Sequence, residues 1–293
     1  MSNAPPHPID GIGIVDLMIG FPKKNAADHY QFLSGAVKDA ESKTMTMPAQ
    51  YMFTEVPGDV GAETDTVAML LADMDRCGVE RGMVHMGSDE SIRALRNHAD
   101  RIIPCVEADP TDIAGSIRRI RAAHHDWGIK AVTSFPAGLV PQVPVNDRAY
   151  YPIYAECVDL DIPIIINAGV PGPRVPMMCQ HVELFDDVCY DFPELRIVMR
   201  HGAEPWQALA VKLMLKWPGL YYMTSAFAPR YYPAEIIAYA NTRGIGKVMY
   251  AGYYPMGLTL DRIVAELRQL PLRDHVWAPF LRDNALRVFN LTP

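Results

Sequence analysis

The sequence predicts one α/β domain over residues 1–293, a (β/α)₈ or TIM barrel, and three observations carry that prediction. Short runs that are apolar throughout alternate with segments of helical period, as parallel strands covered on both faces do. Eight such runs can be counted, and eight strand–helix units in 293 residues fit a closed barrel better than an open sheet. No Gly-rich dinucleotide fingerprint follows the first run, which argues against a doubly wound nucleotide-binding sheet.

The first strand is predicted at 12–17, after a polar, proline-rich start (1–8) that lacks the basic-then-apolar order of a secretory signal. Residues 21–64 have no clean period. They are predicted to form a long first loop, with one or two short helices, over the barrel mouth; loops of that length in compact domains are usually functional. A helix at 66–77 and a strand at 82–86 follow, then a helix at 91–99 and a strand at 101–106. Asp109, Pro110 and Thr111 supply capping material for a helix at 111–125, ahead of a strand at 129–133. The alternation continues with helix 147–160, strand 162–166, helix 181–190 and strand 195–199. Helix 205–216, strand 220–223, helix 234–241 and strand 248–251 come next, and helices at 258–270 and 274–289 close the chain.

Hydrophobic residues make up 49% and charged residues 21%, enough for a sizeable core. A net charge of −7 lacks the basic footprint of a nucleic-acid binder. No run approaches the ~18 apolar residues of a membrane span. The five cysteines, Cys77, Cys105, Cys157, Cys179 and Cys189, are scattered without C-x-x-C spacing. Reduced, buried thiols of a cytoplasmic protein are expected, and neither a disulfide framework nor a zinc site.

Reactive groups of such barrels lie at the carboxyl ends of the strands. After the predicted first strand stands Asp16; after the second, His85, Ser88 and Asp89; after the fourth, Ser134 and Phe135. The fifth is followed by Asn167 and by Arg174 in a Val170-Pro171-Gly172-Pro173-Arg174 loop. Arg200, His201, Glu204 and Trp206 follow the sixth, Thr224, Ser225 and Arg230 the seventh, and Tyr253 and Tyr254 the eighth.

Arg200-His201-Gly202-Ala203-Glu204-Pro205-Trp206 resembles the His-Gly-x-x-Pro-Trp signature of the amidohydrolase-related family, in the branch of aminocarboxymuconate semialdehyde decarboxylase and resorcylate decarboxylases. Tyr190-Asp191-Phe192-Pro193-Glu194-Leu195 and the ending Asp283-Asn284-Ala285-Leu286-Arg287-Val288-Phe289 look like the same family. So does Tyr250-Ala251-Gly252-Tyr253-Tyr254-Pro255-Met256-Gly257, standing where relatives usually have Gly-Ser-Asp-x-Pro. Overall, the chain is also similar to amidohydrolase-like proteins of aromatic side-chain catabolism, including hydroxyphenyl-β-ketoacyl-CoA hydrolases. The resemblance implies a small-molecule enzyme, and homodimers are common among such barrels.

The departures fall on the family's metal ligands. Its first-strand Asp-x-His-x-His reads Asp16-Leu17-Met18-Ile19-Gly20 here, Asn167 replaces the fifth-strand histidine and Tyr253 the eighth-strand aspartate. Because a divalent metal needs three or four converging donors, no cofactor is expected, and zinc and manganese are set aside.

The expected chemistry therefore centres on His201, an imidazole able to take and return a proton near neutral pH. Tyr253, Tyr254, Asn167 and Arg174 or Arg200 would stabilise a developing oxyanion. Asp16 or Glu204 would orient the histidine or act as base, and Ser225 and Trp206 would contact substrate. His85 is expected to be structural, and His124 and His125 to lie on a solvated helix end. Methionines of the first loop (Met45, Met47, Met52), with Phe21, Phe53, Phe135, Phe227 and Trp206, suit an adaptable pocket for an aromatic or acyl compound. The expected activity is metal-independent hydrolysis of a carbon–carbon or thioester bond in an aromatic β-ketoacyl compound, with or without a CoA group. The alternatives are non-oxidative decarboxylation of an aromatic or muconate-type acid and a degenerate barrel that only binds a ligand.

Overall fold

A computed structural model describes residues 7–53 and 55–292; the first six residues of the proline-rich start lie outside that range. Among the described residues eight strands form one sheet in sequential order. They are β1 (Ile14–Asp16), β2 (Val79–His85), β3 (Ile102–Glu107), β4 (Ala131–Ser134), β5 (Ile164–Asn167), β6 (Ile197–Arg200), β7 (Leu220–Met223) and β8 (Val248–Met249). Every ladder is parallel. The fold is a TIM barrel, as the apolar runs predict. Among the described residues no helix is long and apolar enough to cross a membrane.

The strands are apolar on both faces because each face meets a different core. Val15, Met83, Ile103, Cys105, Ala131, Ile165, Val198, Met223 and Met249 fill the barrel interior, and Ala285, Val288 and Phe289 pack against them. Their neighbours Val84, Ile102, Val132, Ile164, Ile166, Ile197 and Met199 face the helices. Burying each large apolar side chain contributes about 1.5–3 kcal/mol.

The covering helices include α2 (Thr66–Cys77), α4 (Ile113–Trp127) and α5 (Gln207–Lys216); a short α1 (Ala40–Thr44) lies in the first loop and α3 (Asp89–Asn97) follows β2. Gly78, at φ +71°, ends α2 in the left-handed conformation that favours glycine. Its carbonyl accepts from Ile14 N at 2.9 Å, so helix passes into strand without a loop. This explains why β2 starts three residues before the apolar run that predicted it: Val79, Glu80 and Arg81 are polar on average yet lie in or beside the ladder with β1.

The predicted last helix is broken into a 3₁₀ turn (Asp274–Val276), a π turn (Pro279–Asp283) and a short helix (Asn284–Val288). Pro279 withholds an N–H from the helical ladder. Asn284 Nδ2 instead donates to the carbonyls of Ile245 (2.7 Å) and Val248 (3.0 Å), tethering the segment beneath β8.

The ladder is not continuous between β8 and β1. Asp16 spans that seam: its Oδ1 accepts from Gly252 N (2.8 Å) and Met18 N (2.9 Å), and its Oδ2 accepts from the Tyr250 hydroxyl (3.2 Å). A Cβ at Gly252 would stand 2.5 Å from Asp16 Oδ2, so only glycine lets the two segments approach. Above this point Ile19 and Tyr254 form a parallel bridge.

Candidate active site

A cavity of about 630 Å³ opens at the carboxyl ends of the strands. Its polar floor is built from His85 (β2), Glu107 (β3), Thr133 (β4), Asn167 (β5) and Arg200 with His201 (β6), with Tyr253 from the segment after β8. Leu33, Met47, Met52 and Phe53 of the first loop, with Phe21, Phe135 and Phe227, supply apolar walls.

His201 leaves β6 in the left-handed region, φ +70°, followed by Gly202 at +90° and Ala203 at +57°. Non-glycine residues so placed cost on the order of 1–3 kcal/mol and gather at functional sites. The bend also brings Gly202 so close to Phe227 that a Cβ would lie 2.7 Å from the ring. His201 Nδ1 lies 2.6 Å from Ser225 Oγ, joining the turns after β6 and β7, and its ring meets that of Tyr253 edge-on at 5.6 Å. Burial, and then the charge of Arg200, hold the imidazole well below its usual pKa; it is neutral at pH 7.

Arg200 is buried, and its Nε donates to Asn167 Oδ1 at 2.6 Å. Among the described residues no carboxylate forms an ion pair with it and its Nη groups have no protein partner. Burial lowers its pKa, opposed by the charge of Glu107. A guanidinium in this condition is a ready receptor for an anion.

The expected site residues divide. His201, Arg200, Asn167 and Tyr253 line the cavity, and Ser225 supports His201. The others are not brought to it. Asp16 lies in the barrel seam. Glu204 sits beyond the left-handed bend, where burial raises its carboxyl and Gln207 bonds to it. Trp206 packs on His181 with ring centres 3.8 Å apart. The hydroxyl of Tyr254 donates to Asp73 beside a second, smaller cavity. Arg174 pairs with Asp39 (3.1 Å) and Glu41 (2.7 Å) and lies over the Tyr51 ring, clasping the first loop to the loop after β5.

Two cavity residues run against expectation. His85, expected to be structural, faces the cavity with its pKa pushed down to about 4 by burial and by Arg200. Glu107 is not among the residues the sequence singles out, although it is a carboxylate that closes the apolar run Ile102–Val106 at the end of the third predicted strand.

The chain belongs to the amidohydrolase family, whose model matches residues 48–291. No curated protein matches it. Among solved structures it is similar to an uncharacterised TIM-barrel protein from Bordetella bronchiseptica (21% identity, 95% of this chain and 98% of that one, TM-score 0.72). It is also similar to 5-carboxyvanillate decarboxylase from Novosphingobium aromaticivorans (15%, 96% and 97%, 0.68) and to 2,6-dihydroxybenzoate decarboxylase from Rhizobium (14%, 95% and 99%, 0.63). At these identities the likeness is one of fold.

The expectation of no cofactor is corrected by these structures. The Novosphingobium decarboxylase holds manganese, as do two further decarboxylase structures of this fold, so a divalent metal is what the fold family implies. The donors present here fit such an ion poorly. Among the described residues no three His, Cys, Asp or Glu side chains converge to hold one. Asp16 spends its oxygens on the seam, and Met18, Gly20, Asn167 and Tyr253 stand at the positions that the family resemblance assigns to ligands.

Proposed function

We propose that the protein is a carbon–carbon lyase that releases the carboxyl group of an aromatic acid as carbon dioxide. The observation that carries this reading is Arg200, a buried guanidinium with no carboxylate partner among the described residues, on the polar floor of a cavity with apolar, aromatic walls. The acid's carboxylate would occupy the free Nη groups while its ring lies between Phe53, Phe135 and Phe227. Burial is the larger cause of the lowered His201 pKa and the field of Arg200 the smaller; the bound carboxylate offsets the second and so favours a protonated imidazole in the complex. His201 then delivers that proton to the ring carbon bearing the carboxylate. A C–H bond forms, the C–C bond breaks, its electron pair restores the aromatic ring, and carbon dioxide leaves. The similarity to two decarboxylases of aromatic acids supports the same reading.

Hydroxylated benzoates incubated with the protein, with and without added manganese, are expected to yield one carbon dioxide per acid consumed. Consumption without carbon dioxide would overturn the proposal. In the same assay Arg200→Gln should weaken substrate binding about 30-fold or more, the usual consequence of removing one partner of a buried charged pair.

One observation favours a second reading, hydrolysis of an aromatic β-ketoacyl compound. In the free protein His201 is neutral and suited to take a proton from water. That reaction releases a carboxylic acid and no gas, so product analysis separates the two.

A further inference from the structure

The cavity floor has a second polar side that the chemistry above leaves unused. His85, Glu107 and Thr133 come from the consecutive strands β2, β3 and β4, and all three line the cavity. Glu107 and Thr133 are register partners, and His85 pairs with Cys105, two residues before Glu107, so the three side chains share one stretch of wall. Thr133 Oγ1 is buried with no hydrogen-bond partner among the described residues. Among the described residues no hydrogen bond acts on the His85 or Glu107 side chain either. Both remain accessible from the cavity space although protein surrounds them on the other sides. Arg200 influences Glu107 through its charge without closing into an ion pair, so the carboxylate stays open to a ligand.

Thr133 Oγ1 is buried and unpartnered, which is unfavourable unless something supplies the missing bond, and His85 and Glu107 open onto the cavity beside it. Arg200 offers donors to an anion, and Glu107 offers an acceptor beside it. We propose that His85, Glu107 and Thr133 form a second subsite, which takes a hydrogen-bond-donating ring substituent, hydroxyl or amino, of a substrate whose carboxylate is held at Arg200. Glu107 is the principal acceptor there and Thr133 supports it. The subsite rests on the proposed reading in one respect, that Arg200 orients the acid. It makes the protein selective for aromatic acids with a donor at the meta or para position.

Calorimetric titration with benzoate, 3-hydroxybenzoate and 4-hydroxybenzoate tests this directly, without turnover. In the wild type, one of the hydroxyl compounds should bind about tenfold or more tighter than benzoate, as a charge-assisted bond would provide. Glu107→Leu should abolish that gain while leaving benzoate affinity within about threefold. Glu107→Gln, whose amide oxygen still accepts, should retain part of it. Thr133→Val, a replacement of nearly equal shape, should reduce it. A wild type that binds all three compounds equally, or a gain that survives Glu107→Leu, would overturn the subsite. So would an equal loss of benzoate and hydroxybenzoate affinity in a Glu107→Gln variant that melts normally, since Glu107 would then not act through the substituent. Arg200→Gln separates the two readings. If it leaves benzoate affinity unchanged the carboxylate assignment falls, whereas a hydroxyl gain that depends on Glu107 still stands for the subsite. Failure of all three compounds to bind overturns both.

Discussion

Replacing His201 by asparagine is expected to lower turnover by about two to four orders of magnitude, the usual worth of a positioned proton-transfer group. Asparagine is the informative choice because residue 201 sits at φ +70°, a conformation its short polar side chain tolerates. An amide keeps a hydrogen-bonding atom within reach of Ser225 but exchanges no proton, so the loss should appear in kcat with the apparent binding constant little changed. On the proposed decarboxylase reading the working form of His201 in the complex is the protonated one, and kcat should decline as pH rises through the pKa of the complex. That limb should be missing from the residual activity of the variant. Turnover within about threefold of wild type, in a variant that melts normally, would remove His201 from the chemistry.

The second large effect concerns the seam. Asp16→Ala would strand the buried backbone N–H of Gly252 and the part-buried one of Met18, together with the Tyr250 hydroxyl. At about 1–3 kcal/mol for each unsatisfied group, a loss of about 3 kcal/mol or more is expected in urea unfolding. Asp16→Asn should behave differently, since Oδ1 alone receives both backbone bonds and an amide can donate to Tyr250.

The pH dependence follows from the direction of the Asp16 shift. Burial pushes this carboxyl from the usual value near 3.8 up to about 6, despite its three donors. The folded state therefore holds the proton more tightly than the unfolded chain. The stability this contributes is fully present below about pH 4 and is lost as pH rises through about 6. Asp16→Asn has no such dependence, so its stability relative to wild type should improve by on the order of 2 kcal/mol between pH 4 and pH 7. Parallel stability curves for the two proteins over that interval would refute the account.

Much of this architecture is legible in the sequence because the relevant forces are local. Ile164, Ile165 and Ile166 can lie side by side only where both faces are covered, and Gly78 announces the helix end that feeds β2. The site is legible to the extent that strand ends are. Arg200, His201, Asn167 and Tyr253 are found because they follow apolar runs. What sequence position does not convey is where a side chain points. Glu204 and Trp206 lie within five residues of His201, yet three successive left-handed residues turn the backbone away and carry them out of the cavity. Arg174 stands on a mouth loop as expected, but Asp39 and Glu41, distant in sequence, claim its charge. His85 reads as an ordinary core histidine until the space in front of it is known. The broken ending is a tertiary effect, since Asn284 answers carbonyls of a strand rather than those of its own helix.

The clasp between Arg174 and the acidic pair in the first loop has a kinetic meaning. Its partners are open to water, and exposed ion pairs of this kind are weak and screened by salt. Such a fastening sets the resting position of the mouth without sealing it. On the decarboxylase reading, entry and departure of a small acid would follow loop motions of nanoseconds to microseconds, and the tube below would not have to deform.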